Sequence, residues 1–245
     1  MSLFKPSSNT AARLSLALLA LGGAGSIGGL MIYVRSPLYT QQGDPISQPV
    51  QFDHRHHVGE EGIDCRYCHS QVEKAASAGY PPTSLCLNCH APIWNKSPKL
   101  APVRESFFTN TPIPWEKVHK LPHYVYFNHS IHVAKGVGCA TCHGRVDKMA
   151  AVEKYSSLTM SWCLECHRNP EKYLRPVGEV VNLKWEAPTS KAGAARELVA
   201  SGLAKDEAEA APLLAQDSDP KLAFGLALKA KNHVQTRVSC DTCHR

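Results

Sequence analysis

The stretch FNHSIHVAKGVGCATCH, Phe127 to His143, carries a Phe-x-His-x-x-His frame and ends on Cys-x-x-Cys-His. The same order occurs earlier, in FDHRHHVGEEGIDCRYCH, Phe52 to His69. Each frame is followed by two Cys-x-x-Cys-His groups, and a further group lies near the end of the chain. In chain order these are motifs 1 to 5, at residues 65–69, 86–90, 139–143, 163–167 and 240–244. Such a repeat predicts a modular fold.

The cysteines indicate one kind of chemistry. All ten lie in the five motifs: Cys65, Cys68, Cys86, Cys89, Cys139, Cys142, Cys163, Cys166, Cys240 and Cys243. Cys-x-x-Cys-His is the attachment signature of c-type haem, because two thiols one turn apart reach one porphyrin edge and the histidine reaches the iron. Zinc ribbons and thiol redox sites also use Cys-x-x-Cys pairs, but neither needs a histidine after each pair. The pattern therefore favours five covalently bound c-type haems, in a domain exported from the cytoplasm.

Composition agrees with a chain wrapped around cofactors. Of 245 residues, 43% are hydrophobic, 7% are aromatic and 17 are proline. A protein-only core would be thin, so we expect a mainly α-helical and irregular fold of multihaem cytochrome c type. The formal net charge is +6, but the haem propionates would offset it, so the basic residues are no evidence for nucleic acid.

Residues 14–34 form an uncharged run of 21 residues, which is long enough to span a bilayer. Lys5 and Arg13 precede it, which favours a cytoplasmic N-terminus and a haem domain outside a bacterial inner membrane. A cleaved signal peptide is the alternative, and the length of the run favours a retained transmembrane anchor. Gly22, Gly25 and Gly29 share a face on which a partner helix or only lipid would lie.

The rest of the chain divides by composition. The predicted regions are an anchor segment 1–34, a linker 35–50, dihaem module 1 at 51–90, a Pro-rich connector 91–126, dihaem module 2 at 127–167, and a C-terminal region 168–245 with the fifth motif. We expect the connector to be extended, because it is too rich in proline for long helices. Within the last region, Ala- and Leu-rich residues 191–230 predict two short helices with a break at 217–220, packed on the surface or on a partner.

The histidine supply suffices for six-coordinate iron. Thirteen are present, and the proximal ligands would be those of the motifs: His69, His90, His143, His167 and His244. Eight others remain for five distal positions. In each frame the two histidines stand at i and i+3, on one face of a helical turn, where they can serve two different haems.

The frame followed by Cys-x-x-Cys-His resembles the small multihaem cytochromes of class III. That resemblance implies that the first histidine of a frame binds the haem that follows it and the second binds a later haem. The implied distal ligands, for haems 1 to 4 in order, are His54, His57, His129 and His132. For the fifth haem we expect His119, with His233, Met149 and Met160 as alternatives. We expect His56 and His123 to be surface or propionate-bonding residues, and the methionines to pack against porphyrin.

The whole pattern resembles the pentahaem cytochrome c subunit of alternative complex III, a bacterial quinol:electron-acceptor oxidoreductase. The resemblance rests on the anchor and on VQFDHRHH, GIDCRYCHSQVEK, PPTSLCLNCH, KLPHYVYFNHSIHVAKGVGCATCH, LTMSWCLECHR and CDTCHR. It implies an electron-transfer subunit with no catalytic site. The implied partners are a large iron–sulfur subunit, polytopic quinol-binding membrane subunits, a monohaem cytochrome c and the lipid bilayer. Residues 191–230 match nothing in that family.

Two other functions stay open. A self-contained membrane quinol dehydrogenase usually carries four haems, the first close behind its anchor, whereas Cys65 lies 31 residues beyond Val34. A multihaem enzyme would need an open iron, which the histidine surplus disfavours, and the chain has no Cys-x-x-Cys-Lys group.

Overall fold

The computed structural model describes residues 5–244, which form two units divided after Gly43. In the described part the secondary structure is helical and irregular, with no β-strand. The α-helices are α1 Pro6–Tyr33, α2 Pro37–Thr40, α3 Cys65–Cys68, α4 Thr83–His90, α5 Ala101–Thr109, α6 His129–Ala134, α7 Cys139–His143, α8 Met160–Arg168, α9 Lys191–Ala200, α10 Glu207–Leu213 and α11 Pro220–Lys231. The predicted mainly α-helical, irregular class is confirmed.

The first unit contains the expected apolar helix. Helix α1 begins eight residues before the predicted span and ends one residue before its end. Its stretch Ser7–Tyr33 contains an 18-residue window with a mean hydropathy of 1.8 and no buried residue, and at 1.5 Å per residue the stretch is roughly 40 Å long. By length and composition it can cross a bilayer, whose hydrocarbon core is about 30 Å thick.

The second unit, from Asp44 onward, has very little buried hydrophobic surface in its first two thirds. Between residues 51 and 167 only Val103 and Val133 are buried hydrophobic side chains. Short helices there are joined by turns and capped by side chains; Asp64, for example, accepts from the backbone N–H of Arg66 before α3. An ordinary protein core does not hold this region together.

The Pro-rich connector is not extended throughout. Helix α5 covers nine of its residues, because Pro102 stands in the first turn, where a missing N–H breaks no hydrogen bond. It packs on α4, where Thr83 and the buried Ser106 share a hydrogen bond of 2.7 Å between their hydroxyls. The prediction of an extended segment is wrong for residues 101–109.

The C-terminal region folds around a compact apolar core. Helices α9, α10 and α11, with the turns between them, form the helical unit, residues 191–231. Its buried side chains include Leu198, Leu214, Phe224 and Leu228, and Leu174 joins them from outside. The sequence predicted two helices here and the structure has three, since Asp206 caps a separate α10 by accepting from the N–H of Glu209 at 2.8 Å.

The helical unit packs against the part of the chain that precedes it. Gly225 of α11 lies so close to the backbone of Glu171 that a Cβ would overlap the Glu171 carbonyl. Four residues on, the Lys229 Nζ contacts the Glu171 carboxylate at 2.8 Å. Lys135, after α6, donates to the carbonyl of Asn232 at 2.8 Å. The unit therefore packs on the segment that follows the second module, and the residue after the unit contacts Lys135 of that module.

Candidate haem sites

Each Cys-x-x-Cys-His motif lies on a single helical turn. Motifs 1 to 4 fall on α3, α4, α7 and α8, with His69 immediately after α3, and motif 5 begins on a 3₁₀ turn at Cys240–Thr242. On such turns residues i and i+3 lie on one side, so both thiols of a motif face the same way. All ten thiols are free of disulfides. Burial raises the pKa of Cys142 to about 12 and that of Cys166 to about 11.

The two Phe-x-His-x-x-His frames have nearly the same geometry. The Phe52 ring stacks on His57 at 4.2 Å and meets His54 edge-on at 4.7 Å. The Phe127 ring stacks on His132 at 4.5 Å and meets His129 edge-on at 4.8 Å. The phenylalanine thus orients both imidazoles of its frame, a role that the sequence analysis did not assign.

The backbones of the two frames differ. His129 and His132 lie on α6, an α-helical turn. In the first frame a π-helical turn, Arg55–Glu60, follows His54, and the N–H of Glu61 donates to the carbonyl of His56. Both frames therefore lie on a helical turn, as predicted, and the ring geometry is preserved although the type of turn differs.

Seven histidines share one hydrogen-bond pattern. In each, the ring Nδ1 lies 2.7 to 3.3 Å from a backbone carbonyl oxygen. A carbonyl can only accept, so Nδ1 carries the proton and Nε2 of the neutral ring keeps a free lone pair for a metal. The seven, with their acceptors, are His57 with Asp53, His69 with Gly79, His90 with Ile93, His129 with Ala76, His132 with Asn128, His167 with Arg237, and His244 with Tyr124.

The same pattern separates these residues from the spare histidines. His56 is exposed, and its Nδ1 contacts the Glu60 carboxylate at 2.9 Å, which raises the pKa of His56. His123 and His233 are exposed as well. All seven patterned histidines are among the predicted ligands, and none of these three shows the pattern.

Three histidine pairs are spaced for one metal atom each. With a metal–imidazole bond of about 2 Å on either side, the two ring centroids would be about 6 Å apart. The observed separations are 6.0 Å for His57 and His90, 6.1 Å for His132 and His167, and 6.3 Å for His129 and His143. These are the pairings predicted for haems 2, 4 and 3. Ligation itself stays a prediction.

The remaining candidates occupy different surroundings. Burial first, then the nearby charges of His69 and His57, lower the pKa of His54 to about 4, and its Nδ1 is buried without a hydrogen-bond partner. The His119 ring lies 4.2 Å from His143, and its Nε2 is also buried and unpartnered. Burial is the main cause that lowers the pKa of His119 to about 4 and that of His143 to about 3.

The assignment of His119 to the fifth haem gains no support from these contacts. His119 lies beside motif 3, whereas the nearest ring to His244 is Tyr124, at 5.7 Å. Of the alternatives, Met160 is 68% exposed, Met149 is half-buried, and His233 follows α11. The distal ligand of motif 5 stays a prediction.

Several contacts that hold the sites come from distant parts of the chain. His129 is oriented by the carbonyl of Ala76, and His167 by that of Arg237. Such acceptors are backbone atoms, so no residue type marks them in the sequence.

A zinc site would need several ligands around one point, and no three His, Cys, Asp or Glu side chains within residues 5–244 form such a group.

Comparison with known proteins agrees with these sites. Residues 125–194 match the family model described as cytochrome c7 and related cytochrome c. The chain is also 34% identical, over 107 residues, to the menaquinone reductase multiheme cytochrome c subunit of Nitratidesulfovibrio vulgaris (strain Hildenborough). That match covers 43% of this chain and spans about half of the relative's length, 48%.

Fold, sites and comparisons together indicate a class. Residues 125–194 are similar to cytochrome c7 and related cytochromes c, and the apolar helix α1 fits a membrane anchor. More particularly, the chain is related to the multihaem subunit of a menaquinone reductase.

Proposed function

We propose that this chain is a membrane-anchored pentahaem cytochrome c that relays electrons, one at a time, within a quinol-linked respiratory complex. The observation that carries the proposal is the histidine geometry: seven imidazoles have Nδ1 committed to a carbonyl, and three pairs face each other at 6.0 to 6.3 Å. When bound, the haems supply one-electron redox chemistry at iron.

The chain's own residues supply attachment, ligation and orientation. The ten motif cysteines would bond the five haems, and the five motif histidines would be the proximal ligands. His54, His57, His129 and His132 would be distal ligands of haems 1 to 4, with Phe52 and Phe127 fixing their rings. With two histidines for each of haems 1 to 4, no iron position there would be open to a substrate, which supports electron transfer and not catalysis.

The proposed location is the bacterial inner membrane, with α1 as a single span and the haem domain on the extracytoplasmic side. The proposed partners are a large iron–sulfur subunit, polytopic quinol-binding subunits and a monohaem cytochrome c, in an assembly of the alternative complex III type. The related protein's place in a menaquinone reductase supports a quinone-linked assembly.

Two further functions compete. A self-contained membrane quinol dehydrogenase is disfavoured by the 31 residues between Val34 and Cys65. The second is electron flow in the opposite direction, in which quinone is reduced, because the relative is a subunit of a menaquinone reductase.

Purification from native membranes tests these functions. The tagged chain would be isolated in mild detergent, its co-purifying subunits identified, and the haems followed optically with quinol, and separately with quinone after pre-reduction. We expect an iron–sulfur subunit and polytopic subunits, with haem reduction by quinol. A chain that purifies alone and still takes electrons from quinol would establish the self-contained dehydrogenase. Quinone reduction without quinol oxidation would establish the reverse direction.

The ligand assignments have a matched pair of variants. In His57→Met a thioether would replace one imidazole, so the reduction potential of one haem should rise and its low-spin EPR signal should change. His56→Met changes the neighbouring exposed residue and should leave every haem signal in place. Equal spectra for the two variants would remove His57 from the ligand set.

A further inference from the structure

Arg175 is a buried cation that makes no close ion pair in the described part of the chain, although the charge of the Glu179 carboxylate acts on it. It is 7% exposed, and none of the ion pairs among residues 5–244 includes it. Its guanidinium donates from NH1 to the carbonyl of Asn182 at 2.8 Å, and its Nε is buried without a hydrogen-bond partner. Burial lowers the pKa of Arg175, but a guanidinium stays charged in proteins.

A buried charge without a close ion pair in its own chain is unusual, because removing an ion from water is unfavourable unless an opposite charge compensates. Elsewhere the chain makes that compensation: the buried Asp147 is paired with the Arg145 guanidinium. Arg175 therefore carries its charge at a site where burying a charge is unfavourable, which points to an electrostatic role.

The guanidinium lies directly on the backbone of motif 3. A Cβ on Gly138, the residue before Cys139, would overlap the Arg175 guanidinium, so a larger residue there would displace the charge. The segment is held there by its backbone: the N–H of Arg175 donates to the carbonyl of Gly136 at 2.9 Å, and the N–H of Cys139 donates to that of Val180 at 2.9 Å. The position of the charge relative to motif 3 is thus fixed.

An aromatic ring covers one face of the guanidinium. Arg175 lies over the Trp185 ring at 4.9 Å, and Trp185 stacks on the buried Phe224 of α11 at 6.2 Å. The Trp185 indole N–H donates to the Glu197 carboxylate of α9 at 3.2 Å. Water is therefore kept away on this side, and a charge in such surroundings acts with a lower effective dielectric than one at the surface.

We propose that Arg175 raises the reduction potential of the haem attached at Cys139 and Cys142, and that the helical unit keeps the charge dry. The inference rests on haem attachment at motif 3, a part of the proposed function. Reduction adds one electron to that site, with no bond formed or broken. A fixed positive charge nearby stabilises the added electron, so the reduced form is favoured. Residues 191–231 thereby have a function, because they keep water away from the residue that raises the reduction potential.

Spectroelectrochemical titration of the isolated, haem-loaded chain tests this inference. In Arg175→Gln we expect one component to move to lower potential, with its reduced-to-oxidised ratio at the native midpoint falling about tenfold, or about 59 mV for one electron. Arg175→Lys, which keeps the charge, should restore most of the shift. Trp185→Leu should move the same component in the same direction by a smaller amount, since water then reaches the guanidinium.

Two controls assign the effect. Arg104→Gln removes an arginine that also donates to backbone carbonyls, those of Asn95 and Ser97, but lies far less buried, and it should move no component. In a background lacking Cys139 and Cys142, Arg175→Gln should cause no further shift.

Three results would overturn the inference: unchanged potentials in Arg175→Gln with full haem content, a shift in Arg175→Lys equal to that in Arg175→Gln, or a shift that persists without the motif 3 cysteines. If Arg175→Gln does not fold, Trp185→Leu alone decides. Peptide mapping that found no haem at Cys139 would instead defeat the proposed haem content, whereas failed quinol assays would leave the inference standing.

Discussion

The two haem modules and the helical unit are built on different physical principles within one chain. Residues 51–167 contain two buried hydrophobic side chains, and their ordered features are histidines, thiols and backbone hydrogen bonds. Residues 191–231 hold a continuous apolar core of Leu, Ala and Phe. Short segments without a hydrophobic core can keep a defined structure when a covalently attached group holds them. The helical unit must instead gain its stability from the burial of apolar side chains.

The largest expected effect is seen when haem is withheld. Produced in a cytoplasm that does not attach haem, the chain should be digested rapidly by a broad-specificity protease between residues 51 and 167, because little apolar surface is buried there. The helical unit, with Leu174 and Trp185, should survive longer. Mass mapping of the fragments over time measures this. Equal digestion of both regions would contradict the comparison, and the haem-loaded protein, resistant throughout, is the control.

A core variant comes next in size. Phe224→Ala removes a side chain that is 1% exposed and should lower the free energy of unfolding of the helical unit by about 3–5 kcal/mol. Hydrogen exchange of the α9 and α11 amides in the holoprotein reports that loss locally. Phe108→Ala is the matched control: its ring is 81% exposed, so the change should stay within about 0.5 kcal/mol.

A smaller effect is expected where the two kinds of region meet. In Gly225→Ala the new methyl group would overlap the backbone of Glu171, so α11 must shift, at about 1–3 kcal/mol. Gly178→Ala places its methyl group in open space and should be neutral or slightly stabilising. Thermal unfolding of the two holoproteins compares them. Equal melting temperatures would show that the contact between α11 and Glu171 is not tight.

The smallest effect concerns the surface of module 1. Glu60→Gln removes the carboxylate that contacts His56, an exposed pair whose contribution to stability is small. Because Glu60 holds the pKa of His56 up, the small stability gain exists below the ordinary histidine pKa and fades as the pH rises through the raised value. The native protein should therefore melt slightly above the variant at acidic pH and at the same temperature as the variant at alkaline pH. A large loss at alkaline pH would mean that Glu60 serves module 1 in another way.

The sequence by itself determined the chemistry of this protein. The five Cys-x-x-Cys-His motifs, the two Phe-x-His-x-x-His frames and the apolar N-terminal helix are local patterns, because the atoms concerned lie within one or two turns of each other. The proline content of the connector did not reveal helix α5, and the break at 217–220 did not reveal helix α10. Whether such a helix forms depends on which cap or first-turn residue the chain uses at that point.

Three of the facing histidine pairs were predicted from the resemblance to class III cytochromes, but only the tertiary structure decided what holds and surrounds each ring. His129 meets the carbonyl of Ala76, His119 lies against His143 rather than beside His244, and Arg175 reaches Gly138 under the cover of Trp185. These contacts join residues that are distant in sequence and often use backbone atoms, which every residue type carries. Spacing along a chain does not encode them, since they follow from packing of the whole haem domain.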